Sequence, residues 1–149
     1  MLKDYQKILL ELLEQLELEI SYLYKFFAEK FPSHSKLWNS LLEEETNHAS
    51  YVKKLSSLAK KGEISFDEKT TKTYTLKTVI NYIKAQYQKA ETDQFTLVNA
   101  LSFSLNLEQS LIEKKFYDYF SSNDREVIMI INKIKEEILE HKSRIEKSL

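Results

Sequence analysis

In 149 residues the chain has one Gly, one Pro and no Cys, and 22 basic against 23 acidic side chains give a formal net charge of −1. Without cysteine there is no disulfide framework, thiolate zinc site, iron–sulfur cluster or cysteine nucleophile, and the balanced charge offers no basic surface for nucleic acid. So little Gly and Pro excludes a turn-rich β fold, while Leu, Lys, Glu and Ile suit long helices. No apolar run approaches the roughly 18 residues of a membrane span, and residues 1–21 lack the layout of a signal peptide. The expectation is a single all-α domain over 1–149, soluble and cytoplasmic.

The first helix is expected over about 3–31. Steps of three and four give Leu10, Leu13, Glu17, Ile20, Tyr24, Phe27 and Phe31, an apolar stripe that holds one carboxylate. Phe31-Pro32 ends it, because the residue before proline disfavours helical geometry. Ser33 or Ser35 can cap the second helix, about 36–61. Its stripe reads Trp38, Leu41, Glu45, His48, Val52, Leu55 and Ala59, and Gly62 closes it in a left-handed cap. The polar stretch Glu63–Tyr74 reads as a loop. A short helix follows over about 76–90, capped by Thr75, with Leu76, Val79, Ile80, Ile83 and Tyr87 on one face. Together these make a connection long enough to cross back along a bundle. Asp93 is expected to cap a third long helix, about 94–120, with the stripe Val98, Leu101, Leu105, Glu108, Ile112, Phe116 and Tyr119. Asn123 with Glu126 approximates a capping box for the last helix, about 124–147. That helix carries Val127, Ile131, Ile134, Ile138, His141 and Ile145, with Glu137 flanking the stripe.

The lone acids share one depth. Glu17 lies 15 residues before Pro32 and Glu45 lies 13 after it; Glu108 lies 15 before Asn123 and Glu137 lies 14 after it. At ~1.5 Å per residue each sits about 20 Å from its own turn. Hairpins set side by side in opposite senses bring four acids and two histidines together at mid-bundle. Buried unpaired carboxylates are costly, and two divalent metals would remove that cost. Oxygen and nitrogen donors without thiolate suit iron or manganese.

The residues that carry a resemblance are Glu17 followed by Tyr24, Glu45-Thr46-Asn47-His48 behind Trp38, Glu108 in the third long helix, and Glu137 with His141 in the fourth. On these the chain resembles the ferritin-like di-iron carboxylate proteins, and among them the rubrerythrin group. The resemblance implies a ferritin-like four-helix bundle, with a long crossover containing a short extra helix between the second and third bundle helices. It implies two iron ions, with manganese as the alternative, held by Glu17, Glu45, His48, Glu108, Glu137 and His141, with Tyr24 close behind the ligands. It further implies an oxidoreductase that reduces peroxide or dioxygen, an external electron donor such as a rubredoxin-like protein, and a homodimer. Two departures stand out. Ile138, not an acid, lies three residues before His141, so Glu137, on the His141 side of the helix, is taken as the ligand, while Glu140 points about 100° away from His141. With no Cys the chain holds no rubredoxin-like iron module. Glu113 is left outside the site.

Simpler readings accompany each residue. Glu45 with His48 alone can be a hydrogen bond in the core, His141 alone can serve its helix dipole, and Tyr24 can be core packing. Tyr22, Phe26, Phe27, Tyr117, Tyr119 and Phe120 read as core or dimer contacts. Two other functions use the same residues: an iron-handling protein without turnover, and a metal-free helical interaction module with a degenerate site, which Ile138 keeps open.

Overall fold

The computed structural model describes residues 2–67 and 72–149. Five helices dominate: α1 Asp4–Lys30, α2 Ser35–Lys60, α3 Thr73–Ala90, α4 Leu97–Lys114 and α5 Arg125–Ser148. Two short strands, β1 Ser65–Phe66 and β2 Phe120–Ser121, pair antiparallel with Ser65 opposite Ser121. A 3-10 turn at Pro32–His34 joins α1 and α2 into a hairpin. α4 and α5 form a second hairpin, α2 packs against α5, and α3 lies along α1 as the crossover helix. The expected helical bundle and its extra helix are both present. Of the expected loop Glu63–Tyr74, residues 68–71 lie outside the described residues. Among the described residues no helix is long and apolar enough to cross a membrane.

The expected stripes of α1 and α2 bury as read, except that Phe31 lies past the end of α1 and is only partly buried. Leu13, Ile20, Phe27, Trp38, Leu41, Val52 and Leu55 are fully buried, each contributing about 1.5–3 kcal/mol of transfer free energy. Phe27 packs 5.0 Å from Trp38 and stacks 5.8 Å from Phe95, centroid to centroid, closing the turn end of the first hairpin. In α4 the stripe is displaced. Val98 is 63% exposed, and the buried face runs through Ala100, Leu101, Ser104, Leu107, Glu108 and Leu111.

The helix ends correct several expectations. Gly62 has φ +83° and does cap α2 in the left-handed region. Thr96, not Asp93, caps α4: Asn99 N donates to Thr96 Oγ1 at 3.2 Å and Thr96 N donates to Asn99 Oδ1 at 2.9 Å. The start is delayed because Phe95 is drawn into the core beside Phe27. Asp124, not Asn123, caps α5, its Oδ1 accepting from Glu126 N and Val127 N at 2.9 and 3.2 Å. α3 begins at Thr73, ahead of Thr75, and neither it nor α2 has a side-chain cap bond, so Ser33 and Ser35 do not serve α2. α4 ends at Lys114 rather than near residue 120. Lys115 turns left-handed at φ +52°, Phe116–Tyr119 forms a 3-10 turn, and β2 then meets β1, with Asp67 N donating to Tyr119 O at 2.8 Å. Leaving the helix lets Phe116, Tyr117, Tyr119 and Phe120 all be buried, which one helical face could not do.

Candidate metal centre

Four helices each place a polar side chain inside their buried face. α1 supplies Glu17, α2 supplies Glu45 and His48, α4 supplies Glu108 and α5 supplies His141; none is more than 1% exposed. They converge as two groups, Glu17–Glu45–His48 and Glu45–Glu108–His141, and within each group one donor atom per residue lies within 4.8 Å of the others. Glu45 belongs to both. His48 Nδ1 lies 3.5 Å from Glu17 Oε2 and 3.5 Å from Glu45 Oε2. His141 Nδ1 lies 3.1 Å from Glu45 Oε1 and 3.3 Å from Glu108 Oε1. Glu45 therefore turns one oxygen to each imidazole. The two rings stack with centroids 5.7 Å apart and planes 17° apart.

Two tyrosines close the ends of this array. Tyr24 on α1 donates to Glu108 Oε1 on α4 at 2.8 Å. Tyr117, just past α4, donates to Glu17 Oε1 on α1 at 2.7 Å. The exchange is reciprocal, each hairpin holding a carboxylate of the other. Both phenols are pushed well above their ordinary range by burial and by the facing carboxylate, so each keeps its proton at neutral pH.

The remaining donor atoms carry the chemical information. Glu17 Oε2, both oxygens of Glu45, His48 Nδ1 and Glu108 Oε2 are buried and make no hydrogen bond. Orphaned polar atoms inside a core are expensive, and all five belong to residues of the two donor groups. Without a cation, protons must hold the cluster together. Burial and the neighbouring Glu45 push Glu17 up to about 8. Burial opposes charge on His48, yet Glu45 and Glu17 hold it up at about 12; likewise Glu108 and Glu45 hold buried His141 at about 10. Burial would also raise Glu45, but the protonated Glu17 beside it and the two imidazoles hold it below the ordinary carboxylate range. A divalent ion in each group would replace those protons. Three carboxylates and two imidazole nitrogens without sulfur fit iron or manganese.

Glu137, expected among the ligands, stands outside both groups. It lies on the far edge of His48, its Oε1 3.1 Å from Nε2. Ile138, where the resemblance would place an acid, is buried. Glu140 is exposed, and Glu113 is exposed and accepts from Gln109 Nε2 at 2.9 Å. Two residues were missed. Tyr117 was hidden by the assumption of unbroken helix to about residue 120. Glu44 lies with Oε2 3.4 Å from His141 Nε2 and pairs with Arg144. Its signal was Arg144, one turn beyond His141 and able to reach across to α2.

No protein-family model, curated protein or solved structure matches the chain. The likeness to rubrerythrins therefore rests on these residues and their spacing.

Proposed function

We propose that this protein is a ferritin-like, non-haem dinuclear carboxylate oxidoreductase of the rubrerythrin kind. Glu17 and His48 would hold one iron or manganese ion, Glu108 and His141 the other, and Glu45 would bridge them. The observation that carries this reading is the set of orphaned, mutually facing donors in a dry core. A bound pair of ferrous ions supplies two electrons at once, the chemistry needed to reduce peroxide or dioxygen.

The chain's own side chains supply the setting. Tyr24 and Tyr117 fix the two terminal carboxylates and keep a proton at each phenol oxygen beside the centre. The apolar packing above and below excludes bulk water, which strengthens every charge interaction inside. Three carboxylates against two divalent ions leave one net positive charge, which favours a small anion such as hydroperoxide. Re-reduction falls to an external donor, such as a rubredoxin-like protein, because this chain carries no cysteine.

The test is metal content per chain of untagged protein after anaerobic ferrous reconstitution, followed by peroxide addition. About two ions per chain, lost in Glu45→Ala/His48→Ala, and oxidation of the bound iron by peroxide are expected. Absence of bound metal would overturn the proposal. Bound iron indifferent to peroxide would leave an iron-handling protein without turnover.

A further inference from the structure

The two imidazoles have a second edge, and it is organised as carefully as the first. Both Nδ1 atoms face the inner carboxylates, and both Nε2 atoms face outward to a different pair. His48 Nε2 lies 3.1 Å from Glu137 Oε1, and His141 Nε2 lies 3.4 Å from Glu44 Oε2. The pairing is crossed: α5 supplies the acid for the histidine of α2, and α2 supplies the acid for the histidine of α5. Each acid has a cation behind it. Glu44 pairs with Arg144, whose Nη1 also donates to Ser40 Oγ at 3.1 Å; Glu137 Oε2 lies 4.0 Å from Lys133 Nζ. His141 Nε2 is wholly buried and has no hydrogen bond, and Glu44 is the acid on that edge of the ring. The side chains of Glu44 and Glu137 are 20% and 11% exposed, against at most 2% for the inner five.

A neutral imidazole has one lone pair and one N–H. If Nδ1 is to bind a metal, the proton must sit on Nε2, and an acceptor there fixes both tautomer and ring orientation. We infer that Glu44 and Glu137 are paired positioning residues that accept the Nε2 protons of His141 and His48, and that neither is a metal ligand. The inference rests on the dinuclear reading above and deepens it. It also accounts for Ile138. The centre has three inner carboxylates and two outer ones, rather than four inner carboxylates with one displaced along its helix. Glu137 is four residues from His141, but it serves His48.

Cobalt(II) serves as the probe. An imidazole bound through Nδ1 keeps its Nε2 proton, which in the cobalt-loaded protein gives a paramagnetically shifted, solvent-exchangeable proton resonance. Wild type should bind about two cobalt ions and show two such resonances. Glu137→Leu should speed solvent exchange of one and Glu44→Leu that of the other. Each variant should still bind both ions, about 10–100-fold more weakly. The near-isosteric Glu137→Gln and Glu44→Gln keep an acceptor oxygen and should restore slow exchange and most of the affinity. Loss of one cobalt ion in Glu137→Gln or Glu44→Gln would overturn the inference, since that residue would be a ligand. Exchange unchanged in both Leu variants would also overturn it. Wild type binding no cobalt would overturn the dinuclear reading as well, an outcome distinct from the other two.

Discussion

Glu45→Leu is the sharpest perturbation, because Glu45 is the carboxylate common to both donor groups and its oxygens face both histidines. A metal that binds only the folded state adds about 4 kcal/mol per site when its free concentration is about 1,000 times Kd. Unfolding a chain of this length carries an entropy of about 0.3 kcal/mol/K, so each filled site raises Tm by about 13 °C and the pair by about 26 °C. In Glu45→Leu each group keeps one carboxylate and one imidazole. A thousandfold loss of affinity is worth about 4 kcal/mol, which erases nearly the whole shift at the same metal concentration. The assay is anaerobic thermal melting followed by helical circular dichroism, with and without manganese(II) or iron(II). The signal before melting verifies that the variant is folded. A wild-type Tm indifferent to metal, or a Glu45→Leu shift as large as wild type, would refute the bridging assignment.

Other outcomes follow from the same geometry. Tyr24→Phe and Tyr117→Phe each remove a buried hydrogen bond to a carboxylate while keeping the ring, so each should lose about 1.5–3 kcal/mol in urea unfolding; a loss well under 1 kcal/mol at Tyr117 would return it to simple packing. Loading metal at neutral pH should release about three protons per chain, from His48, His141 and Glu17, measurable by titration in weak buffer. Both histidines are raised above their ordinary 6.5 and Glu17 above 4.5. Their contribution to the metal-free fold is therefore complete at low pH and is lost as pH climbs through about 8 and then about 10 to 12. Between about pH 6 and about pH 9 the metal-free Tm should fall while the metal-induced shift grows; the opposite signs would refute the assignment. At the backbone, Gly62→Ala should cost about 1 kcal/mol, because φ is +83° with open space where a Cβ would go. Lys115→Gly should gain up to about 1 kcal/mol at φ +52°, both read from denaturant midpoints.

Helical periodicity is local, so the sequence alone determined that Glu17, Glu45, His48, Glu108 and His141 lie on buried helix faces. Counting residues from Pro32 and Asn123 set their common depth, because rise per residue is constant. Five of the six expected site residues meet as the two donor groups for that reason. The sixth, Glu137, shows where counting stops. Its position on α5 was legible, but which imidazole edge it faces depends on the rotation of α5 against α2, which periodicity does not specify. Glu44 depends on the same rotation, since it lies about 100° around the helix from Glu45 and reaches the site only because Arg144 and His141 come across from α5. The end of α4 was equally invisible. Nothing in Lys114-Lys115-Phe116 breaks a helix by propensity. The chain leaves it because β2 must pair with the distant β1 and because four aromatic side chains within five residues, Phe116, Tyr117, Tyr119 and Phe120, gain burial by turning inward. That turn carries Tyr117 to Glu17, so half of the reciprocal tyrosine pair exists only through a contact between segments far apart in the chain.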